Sequence, residues 1–188
     1  DVASFVEPLA AALQIREQVC VDADQRVLVV GDGKLGQLVA QTLALTGCKL
    51  RVIGRHTHKL ALLKERGISA YFEREVELGS FDLVVECTGH AGGFSLARSA
   101  LRSGGTLVMK STYAGALEVD ASALVVDEIT LVGSRCGPFA PALDLLASGE
   151  VEVRPLIHDR FALDRGLEAF ARAAERGVMK VLLDVSEE

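Results

Sequence analysis

The run Arg26-Val27-Leu28-Val29-Val30-Gly31-Asp32-Gly33-Lys34-Leu35-Gly36 decides how this chain is read. Its first half is apolar without interruption, too short for a helix, and ends in glycine. That is the pattern of a strand buried on both faces of a parallel sheet. Its second half is G-x-G-x-x-G. The next stretch, 37–46, spaces Leu38, Val39, Thr42, Leu43 and Leu45 at helical intervals, and Gly47 follows as a C-cap glycine would. A glycine pattern of this kind is common by chance. It gains weight here because it closes a strand and opens a helix.

The alternation continues outward. Leu50-Arg51-Val52-Ile53 reads as a second strand, and a helix starts at Thr57, runs through Leu60, Leu63 and Lys64, and ends at Gly67. Strands are expected at 69–72, 82–87, 106–109 and 128–132, with a helix over 92–101 between the second and third of these. Pro138 and Pro141 open a helix carrying Leu143, Leu145 and Leu146, closed by Gly149. Short apolar runs alternating with amphipathic stretches predict an α/β fold, a doubly wound parallel sheet of the Rossmann kind with flanking helices. After about residue 150 the rhythm breaks, and 157–163, a helix over 164–176 and a strand over 179–185 do not continue it. Three parts are therefore expected: a bridging helix over 1–22, a dinucleotide-binding domain over 23–149, and a return segment over 150–188.

Composition removes several function classes. Of 188 residues, 49% are hydrophobic and 24% charged, the balance of a globular protein and not of a disordered one. The formal net charge is −6, and no Lys or Arg stripe offers a nucleic-acid surface. Apolar stretches stop well short of the roughly 18 residues of a membrane span. Cys20, Cys48, Cys87 and Cys136 lie far apart with no C-x-x-C pair, so they read as reduced thiols, neither a zinc cage nor a disulfide framework. A cytoplasmic setting is the expectation.

The fingerprint residues Gly31, Gly33, Lys34, Leu35 and Gly36 have a specific chemistry. The first glycine admits the tight turn, the second lets backbone approach a pyrophosphate, and the third lets helix pack on strand. The helix N-terminus then offers free N–H groups to the anion. At the end of the second strand an Asp or Glu would hold the ribose of NAD. The sequence has Gly54-Arg55-His56 with Lys59 one turn on, and no acid is expected within reach. A guanidinium beside glycine suits a 2′-phosphate, so Arg55, His56 and Lys59 predict NADP(H) in preference to NAD(H).

Other loops at the carboxyl ends of strands are expected to line the cofactor: Thr88 and Gly89 after the fourth, Met109, Lys110 and Ser111 after the fifth, Arg135 and Cys136 after the sixth. Cys136 has no base identifiable near it and is not read as a nucleophile. His56, His58, His90 and His158 have no ligand spacing, and His56 and His58, two apart at a helix start, should face different directions as surface residues. Glu7 in a first helical turn favours the helix dipole.

Taken in order, several motifs make the chain resemble the C-terminal, cofactor-binding part of a medium-chain, zinc-type alcohol dehydrogenase. They are Val6-Glu7-Pro8-Leu9-Ala10, the glycine fingerprint, Val85-Glu86-Cys87-Thr88-Gly89, Gly104-Gly105-Thr106-Leu107-Val108, Leu131-Val132-Gly133-Ser134 and Gly177-Val178-Met179-Lys180-Val181. The Glu-Pro-Leu-Ala segment looks most like the polyol, sugar and threonine dehydrogenase branch. The resemblance implies a zinc-dependent oxidoreductase acting on a small alcohol, polyol or sugar, or on its carbonyl. It implies zinc ligands in a separate N-terminal domain, Glu7 approaching that zinc, Lys180 approaching the cofactor pyrophosphate, and residues 109–111 and 135–136 lining the nicotinamide. It also implies pairing into a dimer through the sixth strand. Arg55 departs from the Asp of NAD-dependent relatives. On this reading the 188-residue chain binds dinucleotide and has no turnover by itself. Two rivals share the fingerprint: a non-enzymatic, dinucleotide-sensing regulatory module, and a methyltransferase using S-adenosylmethionine, for which Arg55 is the wrong residue.

Overall fold

In the computed structural model, which describes residues 1–185, the apolar run forms β1 (Arg26–Val30) at the middle of a six-stranded sheet. Its Val27, Leu28, Val29 and Val30 are fully buried, because helices cover both faces. That double burial is why the run is apolar at every position and does not alternate.

The glycine turn leads into α2 (Lys34–Ala44), then β2 (Lys49–Gly54), α3 (Thr57–Glu65) and β3 (Ser69–Phe72) on one side of β1. On the other side lie β4 (Phe81–Glu86), α4 (Ala91–Ala100), β5 (Leu101–Met109) and β6 (Thr130–Gly133). The strand order is β3-β2-β1-β4-β5-β6, and every pairing is parallel. The order reverses between β1 and β4, and a crevice opens at the carboxyl ends of these two strands, where ligands of such sheets bind. The doubly wound parallel sheet expected from the sequence is present.

One apolar cluster joins α2, the sheet and α1 (Val6–Gln18), which buries Leu9, Ala10, Ala12, Leu13 and Ile15. The second lies on the opposite face, around Phe81, Phe94 and Leu107. The helix α6 (Phe139–Ser148) ends at Gly149, whose φ of 75° supplies the left-handed C-cap.

Three expectations are corrected. The strand β5 begins at Leu101, ahead of Gly104 and Gly105, and not at 106. A short helix α5 (Ala121–Val126), capped by the Asp120 carboxylate, occupies a stretch to which the sequence reading assigned no element; its Val125 and Val126 are exposed, so no apolar periodicity announced it. The alternation does not stop at 150. The strands β7 (Ile157–Ala162) and β8 (Lys180–Asp184) pair in parallel across α7 (Gly166–Ala173), a further βαβ unit in its own two-stranded sheet. Val151, Val153, Leu156 and Met179 from this region join the main core.

Candidate functional site

The glycine turn has the geometry its sequence requires. Gly31 takes φ 120°, a conformation that side-chain-bearing residues rarely adopt. A Cβ on Gly36 would stand 2.0 Å from the Gly31 carbonyl oxygen, so only glycine lets α2 sit this close to β1. A Cβ on Gly33 would meet nothing within 4 Å, and no side chain caps the α2 N-terminus that Gly33 begins. The first-turn N–H groups of α2 therefore lack a side-chain acceptor, in a place open to backbone approach. This is the arrangement an anion completes.

Lys34 opens this helix, and a second ammonium, that of Lys180, is close enough for the two charges to interact. Lys180 donates to the Ser4 carbonyl at 2.9 Å and lies over the Phe5 ring. Burial first, and then the neighbouring charge of Lys34, lowers its pKa, while Glu7 acts in the opposite sense. The residue expected to approach the pyrophosphate is thus near Lys34, although 146 positions separate them in sequence.

At the end of β2 a cavity is lined by Gly31, Asp32, Gly33, Gly54, Arg55, His56, Lys59, Glu73, Cys87, Thr88 and His90. Lys59 is only 5% exposed, and no other described residue hydrogen-bonds or ion-pairs with its ammonium. The expectation that no acid reaches Arg55 is overturned twice. Asp32, inside the fingerprint itself, accepts the backbone N–H of Arg55 at 2.8 Å and of His56 at 2.7 Å, and its Oδ1 lies 2.9 Å from His56 Nδ1. Burial alone would raise the Asp32 pKa, but the hydrogen bonds from His56 and Arg55 bring it below the ordinary carboxylate value. Gly54 makes room for this carboxylate: a Cβ there would be 2.4 Å from Asp32 Oδ2. The second acid is Glu73, both of whose oxygens lie 2.8 Å from Arg55 Nε.

The sequence carried a signal for Asp32, a short acid between two glycines, but its partner is 23 residues away, just past the end of the next strand. Glu73 follows β3, and only the parallel register, which sets Gly54 beside Phe72, brings it opposite Arg55. The histidines also differ from expectation. The rings of His56 and His58 meet edge to face at 6.0 Å, because His56 is the N-cap of α3 and lies outside its helical spacing. His90 caps α4, its Nδ1 accepting the Gly93 N–H at 3.2 Å.

Beyond the switch point a larger cavity, about 470 Å³, is lined by Gly33, Lys34, Leu35, Cys87, Thr88, Gly89, Lys110, Ser111, Thr112 and Val178. Lys110 is buried and donates to Ser134 Oγ at 3.1 Å and to the Arg135 carbonyl at 2.8 Å, tying the ends of β5 and β6 together. Burial pulls its pKa down to about 8 against the charges of Cys87, Cys136 and Glu7. Cys136 is exposed and close enough to Lys110 to feel its charge. Arg135 is exposed and contributes its carbonyl, while the Met109 side chain packs toward the second apolar cluster. Under the cavity floor the Glu86 carboxylate, 0% exposed, accepts from the N–H and hydroxyl of Thr88, from Gly89 N–H, and from the Tyr113 hydroxyl at 2.6 Å. These donors fix the Thr88–Gly89 turn and anchor the loop after β5; burial and Glu86 together raise the Tyr113 pKa.

Among the described residues no three His, Cys, Asp or Glu side chains come together as a metal site. Glu7 is exposed in the first turn of α1, near Lys110 and Lys180. A zinc ion does not fit these residues alone.

A doubly wound sheet with an anion-ready glycine turn at its switch point defines a nucleotide-binding class of protein. Residues 35–148, more than half of the chain, match the zinc-binding dehydrogenase family, and the chain belongs to that family. It is 29% identical over 198 residues to sorbitol dehydrogenase of Rattus norvegicus, covering 96% of this chain and 55% of that protein. Among solved structures it is similar to a protein of Sinorhizobium meliloti 1021 described as a zinc-binding dehydrogenase bound to NADP, with 26% identity and a TM-score of 0.88 over 98% of this chain and 59% of that one. It is also similar to L-idonate 5-dehydrogenase of Escherichia coli K-12, with 25% identity and a TM-score of 0.87 over 97% of this chain and 57% of that one. The chain spans about half the length of the curated relatives it matches.

Proposed function

We propose that this chain is the cofactor-binding part of a zinc-dependent oxidoreductase that moves hydride between NADP(H) and a small alcohol, polyol or sugar, or its carbonyl. The observation that carries the reading is the Gly31–Gly36 contact beside the open Gly33, which leaves the α2 N-terminus facing the crevice. The fit to a dinucleotide extends in both directions, with Lys34 and Lys180 at the pyrophosphate and Arg55, His56 and Lys59 at the adenosine end. Relatives named as polyol dehydrogenases, and a neighbour bound to NADP, support the substrate and cofactor class.

Bound cofactor supplies the hydride acceptor or donor. The chain's residues do the binding and orienting. The α2 N–H groups and the two lysines hold the diphosphate, Arg55 and Lys59 hold a 2′-phosphate, and the Thr88–Gly89 turn, fixed by Glu86, shapes the far cavity. Lys110 clamps the loops after β5 and β6 that form its rim. Substrate contacts and zinc ligands come from a separate catalytic domain on this reading, with 1–22 bridging to it, 23–149 holding cofactor and 150–188 returning to it, and with Glu7 turned toward the metal.

The edge strand β6, with Leu131 exposed, is read as the seam of an isologous dimer. The four free cysteines fit a reducing, cytoplasmic setting.

The test is calorimetry on the chain with NADPH, NADH and S-adenosylmethionine. Binding of NADPH several-fold tighter than NADH, reversed by Arg55→Asp, is expected. A chain that binds neither nicotinamide nucleotide refutes the reading, and turnover by the chain alone refutes the division of labour. The non-enzymatic sensor shares the binding result but gives no role to Glu7.

A further inference from the structure

The strongest cation at the adenosine end is already engaged by an acid. Arg55 Nε is bracketed by both Glu73 oxygens at 2.8 Å, and both residues line the same cavity as Gly31, Gly54 and Lys59. Glu73 is not a wandering surface side chain. It opens a short 3-10 turn, 73–75, locked by the Glu75 carboxylate accepting the Phe72 N–H at 2.8 Å, and its own side chain is 23% exposed against 55% for Arg55. The register that pairs Gly54 with Phe72 fixes the distance between the two strand ends. Asp32 is otherwise committed to the backbone of the β2–α3 turn and to His56, so it leaves Glu73 as the acid that holds the guanidinium.

We propose that Glu73 is a specificity-determining residue: by holding the Arg55 guanidinium it competes with a nucleotide 2′-phosphate and sets how strongly the site prefers the phosphorylated cofactor. The inference rests on the reading of Arg55 as the 2′-phosphate partner. Glu73 occupies the Nε side of the guanidinium and offsets its charge, so a phosphate at the Nη edge meets a weakened cation with a carboxylate beside it, or draws Arg55 away from Glu73. A nucleotide without the 2′-phosphate leaves the pair intact and binds without that competition. The resident acid therefore narrows discrimination that Arg55 and Lys59 alone would make wider.

The experiment measures, on the full chain, the affinities of 2′,5′-ADP and of 5′-AMP, which differ only at the 2′ position, for the parent and for Glu73→Gln. The ratio favouring 2′,5′-ADP is expected to rise about three- to tenfold, as loss of one exposed pair and one like charge predicts, and to rise less at high salt. In an Arg55→Gln background the same Glu73→Gln change should move the ratio less than about twofold. A parent that prefers 2′,5′-ADP, with a ratio unmoved by Glu73→Gln, overturns the inference and leaves the NADP reading standing. A parent with no preference, in which Glu73→Gln creates one, overturns the NADP reading and keeps the inference. No preference in either protein overturns both. A full rise without Arg55 means repulsion at a distance and overturns the competition. A purely structural role for Glu73 would move both affinities together and leave the ratio fixed, which also overturns it.

Discussion

Asp32 and His56 are joined twice, the His56 backbone N–H donating to Oδ2 at 2.7 Å and the imidazole Nδ1 lying 2.9 Å from Oδ1. The contact welds the fingerprint loop to the start of α3, so the diphosphate end and the adenosine end of the crevice move as one. Asp32→Asn removes the charge and keeps one acceptor oxygen for the two backbone N–H groups, with an NH2 in place of the oxygen that meets the His56 ring. A loss of about 1–3 kcal/mol in unfolding free energy near neutral pH is expected. The Asp32 pKa is lowered in the folded state, so its contribution is complete above the unfolded value of about 3.9 and disappears as pH falls through the folded value. Urea melts from pH 6 down to pH 2.5 should therefore show the parent and the variant converging in acid. A gap that stays constant with pH contradicts the assignment.

The packing of Gly36 against the Gly31 carbonyl gives a steric prediction. Gly36→Ala forces backbone atoms apart at a contact of 2.0 Å, at a cost of about 1–3 kcal/mol. Dinucleotide affinity should fall by more than tenfold, because α2 shifts away from the turn it serves. Gly33→Ala meets open space and should leave stability almost unchanged while weakening binding. Thermal melts with and without NADPH distinguish the two. Equal melting points for both variants without ligand would be the contrary result.

Lys180 and Arg55 should affect different parts of the ligand. Lys180→Gln removes a charge near the α2 N-terminus and is expected to weaken NADPH and NADH alike, by roughly three- to tenfold, as for loss of one charge-assisted contact. Arg55→Gln should weaken only ligands carrying a 2′-phosphate. Titration of each variant with both cofactors checks the contrast, and a selective effect of Lys180→Gln on one cofactor would contradict it.

Lys110 yields a pH signature. Its folded pKa of about 8 lies below the unfolded value of about 10.4, so the unfolded chain binds more protons between those pH values. Its contribution to stability consequently rises with pH through that window, by an amount on the order of 3 kcal/mol. Cys87 and Tyr113, whose pKa values are raised, act in the opposite sense, so the whole-protein curve is mixed. The difference between the parent and Lys110→Met isolates the lysine. That difference should move in the parent's favour from pH 7.5 to 10 in denaturant melts, and a flat difference would show that the ammonium is not desolvated.

The sheet and the glycine turn could be read from local sequence because their causes are local. Val27 to Val30 announce double burial by being apolar at every position, and Gly31 and Gly36 are required by a turn and a contact within five residues of each other. The electrostatics of the site were legible only in part. Arg55, Lys59 and Lys110 stood out as cations at strand ends, but the acids that engage Arg55 come from the first loop and from the end of β3. Their meeting is a product of parallel register, which no short window of sequence encodes. The helix α5 escaped for the opposite reason: its exposed valines carry no burial pattern. The last βαβ unit was taken for a break because its strands belong to a second sheet.

The Lys180 ammonium held by the Ser4 carbonyl, together with the Arg160–Asp1 ion pair, places the opening helical turn against the final parallel pair of strands. The two ends of the described polypeptide are thus spatial neighbours. A short flexible bridge between them, with a new opening cut at an exposed turn such as Gly79, should yield a rewired chain with the same sheet order. In such a variant the chain ends lie at the turn before β4, and the contact between the opening helical turn and β8 becomes an internal one.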